Sequence, residues 1–552
     1  NGNYLFEIAQ WFPRMCKYDD VYGWQNKQFL GRGEFALPFG DYDVEITAPA
    51  DHMVMATGDL TNKKDVLTST QLERLEQAYN SFDEPVVIVT EEEVREKEKE
   101  KATGTKTWKF KAEKVRDFAF ASSRKFLWDA MGVKIGDRTV LAQSLYPKEG
   151  LPLWGRYSTR VVAHTLKTYS KYTIDYPYPH CASIHGPVWG MEYPMMTFNG
   201  GRPNPDGEYP LRIKYANISV IIHEVGHNFF PMIINSDERQ WTWMDEGLNT
   251  FVQFLTEREW ERKYPSRRGF PSSMINYMKD DKDKQMPIMT NSESILQFGN
   301  NAYGKPATAL NILRETVMGR EAFDFAFKKY AERWAFKHPE PADLFRTLED
   351  ASAVDLDWFW RGWFYTTDHV DMAITDVIHY EVSNDPDKRA DFRRKQFEPQ
   401  LKHPTYRLNE TEIEQTYTEQ HPETKDKYTN PDLFEVDEDE RKRYEQFQEE
   451  LEPEQKELLE RMNYVYEIQI ENKGGLVMPV ILRLMYEDGS EEVMDIPAEI
   501  WRQDNHRTTK MLNLEKPLKA VELDPYRETA DIDPSNNVFP PNFDERFLKI
   551  SR

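Results

Sequence analysis

Four stretches of different hydrophobic and polar spacing follow one another along this 552-residue chain. Up to about residue 120 the pattern is that of strands. Residues 41–47 and 106–111 alternate, and Val86-Val87-Ile88-Val89 is a short β-branched run. Between the last two, residues 91–101 are almost all charged and are expected to form a solvated hairpin or surface loop. From Arg156 to about Thr367 apolar residues recur at three- and four-residue spacing, which predicts mainly helices. One such stretch, 154–172, precedes the break Tyr176-Pro177-Tyr178-Pro179; others are 307–317, 322–335, 342–351 and 356–364. From Asp385 to about Arg461 the chain is polar and strongly charged. The spacing of Tyr444, Phe447, Leu451, Leu458 and Leu459 favours exposed helices there over a flexible linker. Alternation then returns in 464–470 and 480–484, with turns at Lys473-Gly474-Gly475 and Asp488-Gly489. This reads as a meander that continues to Val521-Glu522-Leu523 as a small β-sandwich.

A chain of this length is expected to form two to four domains. Its net charge of -24 disfavours nucleic acid and anionic membrane surfaces as partners. No stretch approaches the roughly eighteen consecutive apolar residues of a membrane span. The two cysteines, Cys16 and Cys181, form no CxxC pair and read as ordinary buried thiols.

The chemistry concentrates in His223-Glu224-Val225-Gly226-His227, inside a predicted helix that begins near Tyr215. Histidines at i and i+4 share one helix face, so their imidazoles can meet at a single zinc ion at about 2.0–2.1 Å. Glu224 is left free to act as a base. Glu246, in a second amphipathic stretch over 245–260, can supply the third ligand and leave a fourth position open, as in a catalytic site. Two imidazoles and a carboxylate would be costly to bury in so apolar a stretch without a cation. His₂Glu with an open position suits zinc best, one ion per chain. Asp245 either hydrogen-bonds a ligating imidazole or caps the second helix; the cap is the favoured reading. Asn249 is assigned no role.

At these positions the chain resembles the gluzincin aminopeptidases, the aminopeptidase N family. His223, Glu224, His227 and Glu246 match its HExxH-x18-E signature. Trp189-Gly190-Met191-Glu192-Tyr193 resembles its exopeptidase motif GxMEN, with the Met-Glu core kept, Trp189 at the first glycine and Tyr193 at the asparagine. Tyr303-Gly304-Lys305-Pro306 resembles its Tyr-x-Lys-Gly segment, with Pro306 at the glycine. The resemblance runs from about Val115 to about His369. Trp11-Phe12-Pro13 and Gly31-Arg32-Gly33-Glu34-Phe35 resemble late parts of the family's N-terminal β-domain, so earlier strands are expected upstream.

The spacing pattern together with the resemblance predicts a multidomain α+β architecture: a partial N-terminal β-domain over 1–120, a mainly helical thermolysin-like catalytic domain over 121–370, a charged helical linker or extension over 371–461, and a C-terminal β-sandwich-like domain over 462–552. The family often places such a β-module after its catalytic lobe, and the resemblance carries the function as well. It implies a zinc aminopeptidase acting on peptides with a free N-terminus. Glu224 would be the general base, and Tyr303 would donate a hydrogen bond to the oxyanion. Glu192, flanked by Gly190 and Met191, would receive the substrate's α-ammonium. Two other readings stay open: a zinc endopeptidase of the thermolysin type, which has no use for Glu192, and a non-catalytic scaffold that keeps the fold. The charged 385–461 segment is a candidate surface for a protein partner, and a periplasmic or secreted location is the working expectation.

Overall fold

A six-stranded mixed sheet stands behind the motif helix. Its order is Gly190–Tyr193, Met196–Asn199, His180–His185, Arg138–Pro147, Phe126–Ile135, Val86–Val89. His180–His185 runs parallel to both neighbours, and the other pairings are antiparallel. The computed structural model describes residues 2–541 apart from 381, 382, 430, 431, 433 and 463, and it is a multidomain α+β protein.

The central strands did not announce themselves by alternation because both faces of the sheet are covered. In Phe126–Ile135 every residue except Lys134 is buried, and Arg138–Pro147 is buried from Val140 onward. A strand buried on two sides has no solvent face to mark every second residue. Helix Leu153–Tyr172 covers one face with Val161, Val162 and Leu166. Against the other lie Met53, Met55, Trp108 and Phe110 from the N-terminal strands, which share a cavity lining with Trp128, Leu141 and Leu145. Val86–Val89 pairs with Phe126–Ile135, so the first hundred residues contribute an edge strand to this sheet.

The segment expected to be a solvated hairpin or loop is instead a helix, Glu91–Lys99. Thr90 accepts a hydrogen bond from the Glu93 backbone while the Glu93 carboxylate accepts from the Thr90 backbone at 2.7 Å, a reciprocal capping box. Glu91, Glu92 and Glu93 in the first turn and Lys97 and Lys99 in the last suit the helix dipole, and fully buried Val94 anchors the inner face. A second helix, Ser69–Tyr79, also interrupts this strand-rich region.

The motif helix spans Leu211–Gly226, beginning one turn earlier than its periodicity suggests, after Pro210. Ile218, Ile221, Ile222 and Val225 fasten it into the core beside Leu153–Tyr172 and the second helix, Leu248–Trp260. Two wide π-type turns interrupt the helical lobe where the chemistry is: Trp243–Gly247 carries Asp245 and Glu246, and Gly299–Gly304 carries Tyr303. An extra residue per turn re-aims side chains away from the regular helical rows.

Towards the C-terminus two sheets pack face to face. Met372–Tyr380, Tyr464–Asn472 and Arg507–Leu514 form one; Glu491–Ile496, Val480–Tyr486, Leu518–Leu523 and Val538–Phe539 form the other. Ile468, Ile470, Leu482, Leu484, Val521 and Leu523 fill the space between them. The turn at Lys473-Gly474-Gly475 therefore carries the chain from one sheet to the other, and 464–470 and 480–484 are not hairpin neighbours as a meander requires. The charged stretch between the first two strands of this unit is helical, with Pro386–Leu401, Pro404–Glu412, Glu438–Glu450 and Pro453–Arg461 its longer elements. Among the described residues, no helix is long and apolar enough to cross a membrane.

Candidate active site

His223 Nε2 lies 3.0 Å from Glu246 Oε2 and 3.0 Å from His227 Nε2, and His227 Nε2 lies 3.3 Å from the same carboxylate oxygen. The opposite nitrogen of each imidazole is engaged as a donor. His223 Nδ1 is 2.9 Å from Gln253 Oε1, and His227 Nδ1 is 2.8 Å from the Phe230 carbonyl. Two ring lone pairs and a carboxylate oxygen are thus aimed at one point, which only a cation satisfies. The surrounding carboxylates answer that need with a proton. Burial alone would lower the His227 pKa, yet Glu192, Asp245 and Glu246 hold it well above the usual imidazole range. A divalent ion satisfies all three ligands at once, so the residues present fit zinc.

Outer contacts fix the ligands. The Gln253 amide nitrogen donates to Glu257 Oε1 at 2.9 Å and to the Ser219 carbonyl at 3.3 Å, which leaves its oxygen facing His223. Asn249, given no role from sequence, donates to the His223 carbonyl at 2.8 Å and accepts from the Tyr169 hydroxyl at 2.7 Å. Asp245 Oδ1 sits 2.9 Å from His227 Nδ1. It lies inside the wide turn and makes no side-chain cap, which corrects the favoured reading. One N–H cannot point at two acceptors; the Phe230 carbonyl takes the aligned bond, and Asp245 acts on the imidazole by charge. Replacing Gln253 by leucine should weaken zinc affinity about 10- to 100-fold, since such outer partners set ligand orientation and basicity. Competition for zinc against a chelator measures this; an unchanged affinity would mean that Gln253 only fills space.

Around the ligands lies a concentration of buried acid. Carboxylate oxygens of Glu192 and Glu224 fall within 4.8 Å of each other and of a His227 ring nitrogen, and Glu192, Glu238 and Asp245 form a second such group. Burial above all holds Glu224 well above the usual carboxylate range, and its neighbours Glu192, Glu246 and Asp245 add to this. Glu192 is raised for the same main reason. Glu246 goes the other way: the two imidazoles outweigh burial and keep it ionised. Glu224 Oε2 is buried without a hydrogen-bond partner. A Cβ at Gly190 would stand 2.4 Å from Glu224 Oε1, so the absent side chain leaves that carboxylate its room. Met191 packs at the edge of the core.

Sequence reasoning passed over Glu34. Burial, then Glu192 and Glu246, push it up to about 7, which places it at the same acidic pole. It rides on a strap without regular structure that the catalytic lobe grips from outside. Arg239 donates to the carbonyls of Gln28 at 2.5 Å, Arg32 at 2.6 Å and Gly33 at 3.3 Å. Arg116 joins the Phe35 carbonyl to Glu238, and Asn235 donates to the Leu37 carbonyl at 2.7 Å. The signal available in the sequence was an acidic residue in the 31–35 segment that already bore the resemblance.

Tyr303 donates to Glu246 Oε1 at 2.6 Å, and its ring stacks on His223 at 5.8 Å between centroids. Tyr193, at the motif's asparagine position, is turned away from the ligands. Its hydroxyl accepts from Gln10 Nε2 at 2.9 Å and its ring packs on Phe198.

Aminopeptidase M1-A of Oryza sativa subsp. japonica is 22% identical over 230 residues, 40% of this chain and 26% of that protein. The leucyl aminopeptidase of Saccharolobus solfataricus is 24% identical over 224 residues, 38% of this chain and 28% of that protein. The matches span little more than a quarter of these relatives' length. In structure, Legionella pneumophila aminopeptidase A, solved in complex with aspartic acid, shares the fold with a TM-score of 0.54 at 12% identity, over 91% of this chain and 45% of that one. Glu192, His223, Glu224, His227, Glu246 and Tyr303 all fall within residues 157–363, and over that stretch the chain matches the Peptidase family M1 domain.

Proposed function

We propose that this protein is a zinc-dependent aminopeptidase, with one zinc per chain, that removes the N-terminal residue of peptides. The observation that carries the reading is the buried Glu192 carboxylate beside a pocket of two histidines and a glutamate. An endopeptidase has no use for an extra buried acid there, whereas an exopeptidase needs one to pair with a free α-ammonium. Glu34 reinforces the same negative pole.

The zinc held by His223, His227 and Glu246 would supply Lewis acidity to a water and to the scissile carbonyl. Glu224, whose carboxylate has a free buried oxygen, takes the proton of the attacking water and returns it to the leaving amine. The Tyr303 hydroxyl, held among the ligands by Glu246, is placed to donate to the oxyanion as charge develops there. Glu192 holds the ammonium, which fixes how far from the N-terminus the cut falls. The charged helices between residues 386 and 461 expose Phe392, Tyr406, Leu408 and Tyr417, which supports a role for them as a surface for a protein partner.

The test uses one short peptide with its N-terminus free and then acetylated, on the zinc-loaded protein. Cleavage after the first residue of the free form alone is expected. Glu192→Gln should lower kcat/KM on the free form about 10- to 100-fold, the value of a hydrogen bond to a charged group. Equal cleavage of both forms, unaffected by that substitution, would point to an endopeptidase.

A further inference from the structure

Arg268 lies beyond the second helix, in none of the motifs above. Its guanidinium sits 4.5 Å from the centre of the Tyr303 ring, the same ring that stacks on His223 and whose hydroxyl bonds Glu246. Among the described residues this half-buried cation forms no hydrogen bond and no ion pair. The other arginines of this lobe that are withdrawn from solvent are pinned. Arg258 donates to the Tyr264 carbonyl at 2.8 Å, Arg314 is paired with Asp324, and Arg239 and Arg116 are held as described. Five N–H donors in a rigid fork, withdrawn partly from water and given only an aromatic face, lack an anionic partner.

The position of Arg268 says which anion. Arg268 faces the Tyr303 ring, and that ring stacks on His223, whose Nδ1 is held by Gln253. A Glu192 carboxylate oxygen instead lies within 4.8 Å of a His227 ring nitrogen. The acidic pole thus lies on the His227 side of the ligand trio and Arg268 on the His223 side. A peptide whose ammonium rests at Glu192 and whose first carbonyl lies at the ligands directs its next residue towards Arg268. In a dipeptide that residue ends in a carboxylate.

We propose that Arg268 binds the C-terminal carboxylate of dipeptide substrates, so that this site selects short peptides by charge at both ends. The inference rests on the aminopeptidase reading. A bidentate guanidinium–carboxylate pair recognises an acid and rejects the corresponding amide, which offers one oxygen and no charge.

The experiment compares a leucine-first dipeptide with its C-terminal amide on the zinc-loaded enzyme. The acid should be cleaved with kcat/KM about 10- to 100-fold above the amide, the difference lying mainly in KM. Arg268→Met should bring the ratio of acid to amide close to one, and Arg268→Lys should keep part of it. A ratio near one in the unaltered enzyme overturns the proposal. So does an equal loss on acid and amide in Arg268→Met, which would make Arg268 a support for Tyr303. A selective loss on a glutamate-first dipeptide amide, with the acid-to-amide ratio unchanged, also overturns it and assigns Arg268 to an acidic first side chain. If the unaltered enzyme cleaves neither compound, the aminopeptidase reading itself fails and takes this inference with it.

Discussion

Glu224→Gln should lower kcat on a peptide with a free N-terminus by about 100- to 10,000-fold while bound zinc stays stoichiometric. The structure separates the two readouts. Glu224 lies beside the trio that holds the metal without being one of its three converging atoms, and one of its oxygens is buried with no partner. Glutamine keeps the size and the packing against Gly190 but cannot accept a proton. In the metal-free protein burial keeps Glu224 well above the usual carboxylate range, and a nearby dication would favour its charged form. Metal analysis beside steady-state kinetics decides the matter. If zinc is lost along with kcat, Glu224 is a ligand and the base lies elsewhere.

Stripping the zinc should leave a protein whose thermal stability falls as pH rises from about 6.5 to 8.5, and restoring the metal should flatten that slope. Glu34 is held at about 7 by burial, Glu192 and Glu246. Glu238 is held at about 8 by burial and by Glu192 and Glu34, in spite of its pairing with Arg116. Unfolded glutamates titrate near 4.3. The folded state therefore keeps protons that the unfolded chain has already released. The stability they contribute is fully present below the unfolded value and is lost as pH rises through the folded values. Buried neutral histidines such as His185 and His338, pushed down to about 4, act in the opposite sense, but below this window. Melting curves at three pH values with and without zinc provide the measurement. A zinc-free Tm that stays level or climbs with pH would show that the acids are not crowded as described.

What the sequence disclosed was whatever is periodic. The i, i+4 histidines declare their shared face, and the spacing to Glu246 declares a second helix, so the trio could be assembled before any coordinate was known. The edge strand Gly190–Tyr193, with Glu192 buried beside the ligands, was reached only through resemblance. Glu34 belongs to a strap with no period at all, held by arginine-to-carbonyl bonds whose donors lie some two hundred residues away. Asp245 was misread because an acidic residue at the start of an amphipathic stretch looks like a cap; the wide turn over Trp243–Gly247 places it mid-helix, against His227. Charge hid the helix Glu91–Lys99, although Thr90 and Glu93 carried its capping signature in plain view. The strands Phe126–Ile135 and Arg138–Pro147 were silent because complete burial erases alternation.

The order of the six-stranded sheet is nearly the order of the chain itself. Val86–Val89 comes first, and Phe126–Ile135, Arg138–Pro147 and His180–His185 each pair with the strand made before them. The last two, Gly190–Tyr193 and Met196–Asn199, close the far edge together. A ribosome releasing this chain therefore lays the sheet down from one side to the other, with no strand left waiting for a distant partner. The two helices that carry His223, His227 and Glu246 follow in the chain, onto a platform whose six strands have all been made.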